Sequence, residues 1–185
     1  MEPNQFVVEH LGSLPAGKMV DLAGGEGRNA LWFARDGWQV ENVEISQVAL
    51  EKFLIRAKQD HLESSCTATH ANALEARFKL MADLLVVAYL QIPFQDLAKA
   101  LTNAVSQLSP TAAVFGVWHA RRNLTEGFGG PPVAELLPTV QELDAWASSN
   151  LGSHEVFEKE RIVEKDGVKH VAIDVILKGR LGKNQ

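Results

Sequence analysis

Between Val20 and Ser46 the chain reads VDLAGGEGRNALWFARDGWQVENVEIS, which holds the residue types of a nucleotide site at workable spacing. Gly25 and Gly27 follow an apolar run, where glycine lets the backbone turn tightly and approach a ligand closely. A helix starting after Gly27 offers free N–H groups to an anionic or carboxylate group. Glu44 closes the next apolar run about 20 residues further on, where a carboxylate accepts hydrogen bonds from a ribose diol and repels a 2′-phosphate. Gly25-Glu26-Gly27-Arg28-Asn29-Ala30 also satisfies G-x-G-x-x-A, so a nicotinamide or flavin dinucleotide competes for the same turn. Asp21 at the end of the first apolar run speaks against that alternative.

Other candidates for chemistry lie further along. His119 ends the run TAAVFGVWH and is the nearest candidate for a general base. Tyr89 ends ADLLVVAY and either flanks the reacting group or fills the sheet edge. Arg121 and Arg122 can attract an anionic substrate. Phe128 sits in GFGGPP, Gly127 to Pro132, where three glycines permit rearrangement and two prolines limit it, the make-up of a lid. The six histidines are scattered without a close pair and Cys66 is the lone cysteine, so no metal site is expected and Cys66 reads as a small buried hydrophobe. Trp32, Trp38, Trp118 and Trp146 read as core or rim.

The elements that must position these residues alternate. Asn4 to Leu14 has apolar residues at helical intervals, and Met19 to Ala23 reads as a strand. Arg28 to Asp36 reads as a helix closed by Gly37, and Val40 to Ile45 as the second strand. Ser46 caps a helix through about Asp60, and Cys66 to Ala71 alternates as a third strand. Ala82 to Tyr89 is a continuous β-rich run, as for a central parallel strand covered on both faces. A helix over Phe94 to Leu108, the fifth strand Thr111 to His119, and a helix at about Val140 to Ser149 follow. Ser153 to Glu164 and Lys169 to Lys178 flank Lys165-Asp166-Gly167, a hairpin signal. The fold expected is a three-layer α/β/α sandwich: a doubly wound, mostly parallel, Rossmann-like sheet ending in an antiparallel hairpin. Ligands in such folds bind beyond the carboxyl ends of the strands, at the point where strand order reverses.

Composition narrows the partners. A chain of 185 residues, 46% apolar and 22% charged, suits one domain over 1–185, and no apolar run reaches the ~20 residues that span a bilayer. The net charge of −5 argues against a phosphate-tracking nucleic-acid face. Arg121-Arg122 and Lys178 to Lys183 are the locally basic stretches, read as a solvated loop and a solvated terminus. Met1-Glu2-Pro3-Asn4 carries no basic-then-apolar leader, so a cytoplasmic protein is expected, monomeric or homodimeric.

With Val20, Asp21, Ala23, Gly25 and Gly27 in place, the sequence resembles the class I S-adenosylmethionine-dependent methyltransferases, whose first motif is apolar-apolar-Asp-x-Gly-x-Gly-x-Gly; Ala23 stands at the first glycine. Pro3-Asn4, LAGGEGRNALWFARDGWQV, ADLLVVAYLQIP and GFGGPPVAELLPTVQEL are similar to the small tellurite-resistance and thiopurine-type branch. The resemblance implies S-adenosylmethionine as cofactor and a small-molecule methyl acceptor. It implies that Asp21 and the backbone from Ala23 through Gly24 and Gly25 to Gly27, with Asn29 behind them, hold the methionine part. Glu44 then takes the ribose and Ile45 packs near the adenine. Asn72 stands where the family usually has an acid for the adenine amino group, followed by a backbone contact at Ala73. Val87, Ala88 and Tyr89 line the methyl end, and Gln91 occupies a substrate-side position where many relatives carry His. Ala23 narrows the glycine turn, and its methyl is expected to be harmless if its φ stays negative. A non-catalytic cofactor-binding protein derived from this fold, and a dinucleotide oxidoreductase, are the alternatives.

Overall fold

The structure, a computed structural model, describes residues 1–182; Lys183, the end of the basic tail, lies outside them. Seven strands, β1 (Lys18–Leu22), β2 (Gln39–Glu44), β3 (Cys66–His70), β4 (Leu84–Ala88), β5 (Ala113–His119), β6 (Ser153–Lys165) and β7 (Val168–Arg180), form one sheet in the order β3-β2-β1-β4-β5-β7-β6. The first five run parallel, and β7 is antiparallel to both β5 and β6. This is the doubly wound sheet with a terminal hairpin that the sequence pattern predicts. Strand order reverses between β1 and β4, so the crevice expected for a ligand opens at their carboxyl ends.

Strand periodicity sorts side chains between two cores. In β1, Val20 and Leu22 face one side and Met19 the other; in β4, Leu85 and Val87 share the first side and Leu84 and Val86 the second. Helices α1 (Gln5–Leu11), α2 (Arg28–Arg35) and α3 (Gln47–Gln59) cover the Met19 face with Phe6, Leu31 and Phe53. Helices α4 (Phe94–Val105) and α6 (Val140–Asn150) cover the other with Leu101 and Trp146. Asp21 shares the Met19 face, which turns its carboxyl toward the start of α2.

The caps follow the sequence. Asn4 Oδ1 accepts from Phe6 N and Val7 N, Ser46 Oγ from Ala49 N, and Thr139 with Glu142 closes a capping box on α6. α1 stops at Leu11 rather than running to Leu14. The hairpin turns at Asp166-Gly167, both with positive φ (53° and 75°), the geometry of a two-residue turn matched to strand twist, and its strands are longer than expected. Lys178 and Arg180 therefore belong to β7 and not to a solvated tail. A short helix α5 (Asn123–Glu126) and a 3-10 turn (Ala134–Leu136), which the sequence pattern does not signal, flank the glycine-proline loop. No helix among the described residues is long and apolar enough to cross a membrane.

Candidate functional site

The turn from β1 into α2 is built by close approach. A Cβ at Gly24 would lie 2.2 Å from Asn42 Oδ1 and 2.7 Å from Asp21 Oδ2, and one at Gly27 (φ +76°) would strike Phe53 at 2.2 Å. Gly25 (φ +58°) differs: nothing lies within 4 Å of the place its Cβ would take, so the backbone here faces open space. Its N–H donates to Glu44 Oε2 (3.0 Å), its carbonyl accepts from Asn42 Nδ2 (2.9 Å), and Ser46 N donates to Glu44 Oε1 (2.9 Å). Each Glu44 oxygen keeps a lone pair for a hydroxyl. Asn42, a direct holder of the turn, was missed because an amide inside a strand leaves no periodic signal.

Ala23 corrects one expectation: its φ is +56°, in the left-handed region, so its methyl is strained rather than neutral. Asp21 is fully buried; Ala30 N donates to its Oδ2 (3.2 Å), and burial, opposed by that bond and by Arg28, pushes its carboxyl up to about 7. Asn29 is a second correction. It is buried, and its Oδ1 accepts Asn4 N–H at 2.9 Å, so it ties the N-terminal element to α2 and does not face the cleft.

Next to Glu44 an apolar cavity of about 260 Å³ is lined by Ala23, Glu44, Ile45, Asn72, Ala73 and Leu74, with Leu90 also on its wall. Five of the residues that the sequence assigns to one ligand thus meet here. Asn72 Oδ1 already accepts Leu74 N–H (3.0 Å), which leaves its second lone pair and its amide N–H free. Val87 is fully buried in the core, so only its backbone can serve the site, and Ala88 packs toward the opposite face.

The carboxyl ends of β4 and β5 carry a charged cluster. Tyr89 has a left-handed φ of +62°, and its hydroxyl donates to Asp174 Oδ2 (3.0 Å). Arg161 Nε donates to the same oxygen (2.5 Å). His119 Nδ1 stands 3.0 Å from Asp174 Oδ1, its direct cross-strand partner, although the ring is not turned for a straight hydrogen bond and neither atom has one. The Tyr89 and His119 rings lie 4.9 Å apart. Burial first, then the Asp174 charge, pushes the Tyr89 phenol up to about 12, which keeps it a neutral donor. Asp174 and Arg161 were not anticipated. The signal was an acid in the otherwise apolar run Val171 to Leu177, for a buried acid needs partners. Gln91 is half-buried, and its amide finds no partner among the described residues.

The arginines after β5 serve the scaffold. Arg121 donates to Ala134 O, Leu137 O and Glu142, and Arg122 faces Glu126 and Glu158, so both charges expected to attract an anion are matched within the protein. Phe128 stacks on His170 of β7 at 3.9 Å, and Asn123 Nδ2 holds Gly129 O at 2.8 Å. The loop expected as a lid thus rests on the hairpin, and Gly130 packs so closely that a Cβ there would lie 2.7 Å from the His119 ring.

Residues 20–115, from β1 into β5 and so including the glycine turn and Glu44, match the methyltransferase domain family. The chain belongs to that family. No curated protein matches it significantly in sequence. Among solved structures, TehB from Haemophilus influenzae superposes with a TM-score of 0.76 at 13% identity, over 96% of this chain and 62% of TehB. A SAM-dependent methyltransferase from Aquifex aeolicus gives 0.69 at 12%, over 96% of this chain and 88% of that one. The O-methyltransferase of a Brevibacillus brevis multienzyme, solved with S-adenosyl-L-homocysteine, gives 0.63 at 16%, over 82% and 52%. At these identities the likeness is one of methyltransferase fold, and the chain spans under two thirds of TehB and of the Brevibacillus protein.

Proposed function

We propose that this methyltransferase domain, one unit over residues 1–185, transfers a methyl group from S-adenosylmethionine to a small-molecule acceptor. The observation that carries the reading is Gly25: a left-handed glycine facing open space, its N–H fixed by Glu44 at the mouth of an apolar cavity. The donor set fits the cofactor. Glu44 offers lone pairs to a ribose diol, Ile45 and Ala73 offer apolar faces to a purine, and Asn72 offers an amide to its edge. Asp21 offers a carboxyl toward an ammonium behind the turn. The TehB likeness supports placing the domain in the tellurite-resistance and thiopurine-type branch. The net charge of −5 speaks against a nucleic-acid partner, and the reading includes a cytoplasmic small-molecule enzyme without a membrane partner, monomeric or homodimeric.

When bound, the cofactor supplies a sulfonium methyl whose displacement leaves a neutral thioether. Because such a displacement would need no charge taken up by the leaving group, the protein's task is alignment and exclusion of water. Tyr89 borders the methyl end, and its phenol, locked onto Asp174, does not rotate away. His119 is the group placed to take the acceptor's proton, and Asp174 behind Nδ1 stabilises the imidazolium that results.

Calorimetry with S-adenosylhomocysteine tests the reading. Wild type binds, and Glu44→Gln weakens binding by about 1.5–3 kcal/mol, ten- to a hundred-fold. Equal affinities in a folded variant place the nucleotide elsewhere.

A further inference from the structure

A second cavity, of about 350 Å³, is lined by Glu2, Pro3, Asn4, Gln5, Arg28, Tyr89 and Arg161. Tyr89 borders this one and its neighbour Leu90 the other, so the two cavities flank consecutive residues at the end of β4. The lining is polar and cationic. The Arg28 and Arg161 guanidinium carbons stand 5.9 and 5.8 Å from the centroid of the same Tyr89 ring.

These two arginines are the ones that share this cavity. Arg77 and Arg180, both exposed and likewise without a carboxylate partner among the described residues, lie away from it, and four others are matched. Arg35 faces Asp60, Arg56 faces Glu26, Arg121 faces Glu142, and Arg122 faces Glu126 and Glu158. Arg28 has no carboxylate within salt-bridge distance among the described residues, and Asp21, whose charge it feels, is buried behind the turn. Arg161 spends its Nε on Asp174, which is wholly buried and also receives the Tyr89 hydroxyl. That bond fixes the fork, and its terminal nitrogens have no hydrogen-bond acceptor among the described residues. Glu2, at the exposed rim, is the one acid lining the cavity. Two guanidiniums held around a ring in a partly desolvated recess form a receptor for a carboxylate or oxyanion, which a planar fork binds through two parallel bonds.

We infer that this cavity is the acceptor subsite and that the acceptor is a small anion, a carboxylate or an oxyanion, gripped by Arg28 and Arg161 with its nucleophilic atom turned across Tyr89. The inference rests on the methyltransferase reading for the word acceptor, and on the arginine geometry alone for the word anion. It gives Arg28 and Arg161 the part that the sequence suggested for Arg121 and Arg122.

The test titrates wild type and Arg28→Gln with acetate, inorganic phosphate and, as the uncharged control, acetamide, with and without saturating S-adenosylhomocysteine. Arg28 is half-exposed and unpaired, so its variant folds. Acetate or phosphate is expected to bind wild type at least ten-fold more tightly than acetamide, the stronger of the two naming the anion class. Arg28→Gln loses at least ten-fold of that affinity while its S-adenosylhomocysteine affinity stays within three-fold. Arg161→Lys, which keeps a cation against Asp174 but lacks the fork, shows a smaller loss of the same sign. Equal binding of acetate and acetamide overturns the inference. So does an Arg28→Gln variant that loses ten-fold in S-adenosylhomocysteine affinity and keeps its anion affinity, since the guanidinium then holds the cofactor's own carboxylate. Failure of wild type to bind S-adenosylhomocysteine removes the methyltransferase reading instead, and the titrations without it still read the anion site.

Discussion

The two halves of the crevice are built on opposite principles. On the β1–β2–β3 side, backbone does the work: glycines at Gly24, Gly25 and Gly27, one strand-end acid, and an apolar wall. On the β4–β5–β7–β6 side, side chains do it: Tyr89, His119 and Arg161 converge on a single buried carboxylate, Asp174. A backbone site tolerates variation in most side chains and fails when a turn is blocked. A side-chain cluster fails when its hub is removed.

The hub predicts the largest effect. Asp174→Ala leaves Arg161 without its partner and Tyr89 without an acceptor, and breaking a buried pair by removing one member costs about 3–5 kcal/mol. Denaturant titration reads the loss, and Asp174→Asn, which keeps an acceptor for Tyr89, recovers part of it. A loss below about 1 kcal/mol for the alanine variant would mean that Asp174 is no hub. The blocked turn comes next. Gly25→Val places a β-branched residue at φ +58° and fills the open space. S-adenosylhomocysteine affinity is expected to fall at least a hundred-fold, about 3 kcal/mol, with a near-native circular dichroism spectrum. Normal binding by that variant breaks the contrast, because the backbone would then not be the binding element.

How far each half was legible in the sequence follows from the same contrast. The first half lies within one continuous βαβ unit, so Asp21, Gly25, Gly27 and Glu44 are separated by chain lengths that the motif itself sets. The second half draws Arg161 and Asp174 from an antiparallel hairpin whose register against β5 decides which residue meets His119, and hairpin register is set by turn type and strand length. The expected strands were shorter than those observed, so that pairing had no fixed point. Arg121 and Arg122 were read as free because local basic density shows charge and not partners; Glu142 and Glu158 lie on α6 and β6. Asn29 was misassigned because it lies inside the motif yet points to Asn4.

Asp21 ties the first half to pH. Its folded value near 7 lies above the ordinary 3.8, so the native state holds a proton that the unfolded chain has released, and this group's contribution to stability is lost as pH rises from about 4 to 7. Compared with Asp21→Asn, wild type is expected to lose ground across that window by on the order of 1 kcal/mol per pH unit, with the two converging below pH 4. Affinity for S-adenosylhomocysteine moves the other way, strengthening as Asp21 ionises opposite the ligand's ammonium, and is flat with pH in the variant. Parallel pH profiles for both proteins would show that Asp21 does not titrate there.

The smallest effect separates the halves most sharply, because each contains one non-glycine residue held in the left-handed region beside the crevice: Ala23 at φ +56° and Tyr89 at φ +62°. For an ordinary residue that conformation costs roughly 1–2 kcal/mol, which glycine relieves, while glycine gives back about 0.4–1 kcal/mol through its freer unfolded chain. Ala23 makes no side-chain hydrogen bond, so Ala23→Gly is expected to stabilise by less than about 1 kcal/mol and to leave S-adenosylhomocysteine affinity within three-fold. Tyr89→Gly relieves the same strain, but it also removes the donor to Asp174 and the ring between His119 and the two arginines, so it destabilises. Thermal unfolding of the pair decides the matter. If both variants stabilise, strain outweighs contacts on the β4 side as well, and Tyr89 is held by the backbone rather than by its partners. Opposite signs show that the same dihedral is a residual cost in the half built from backbone and the enforced geometry of a working side chain in the other.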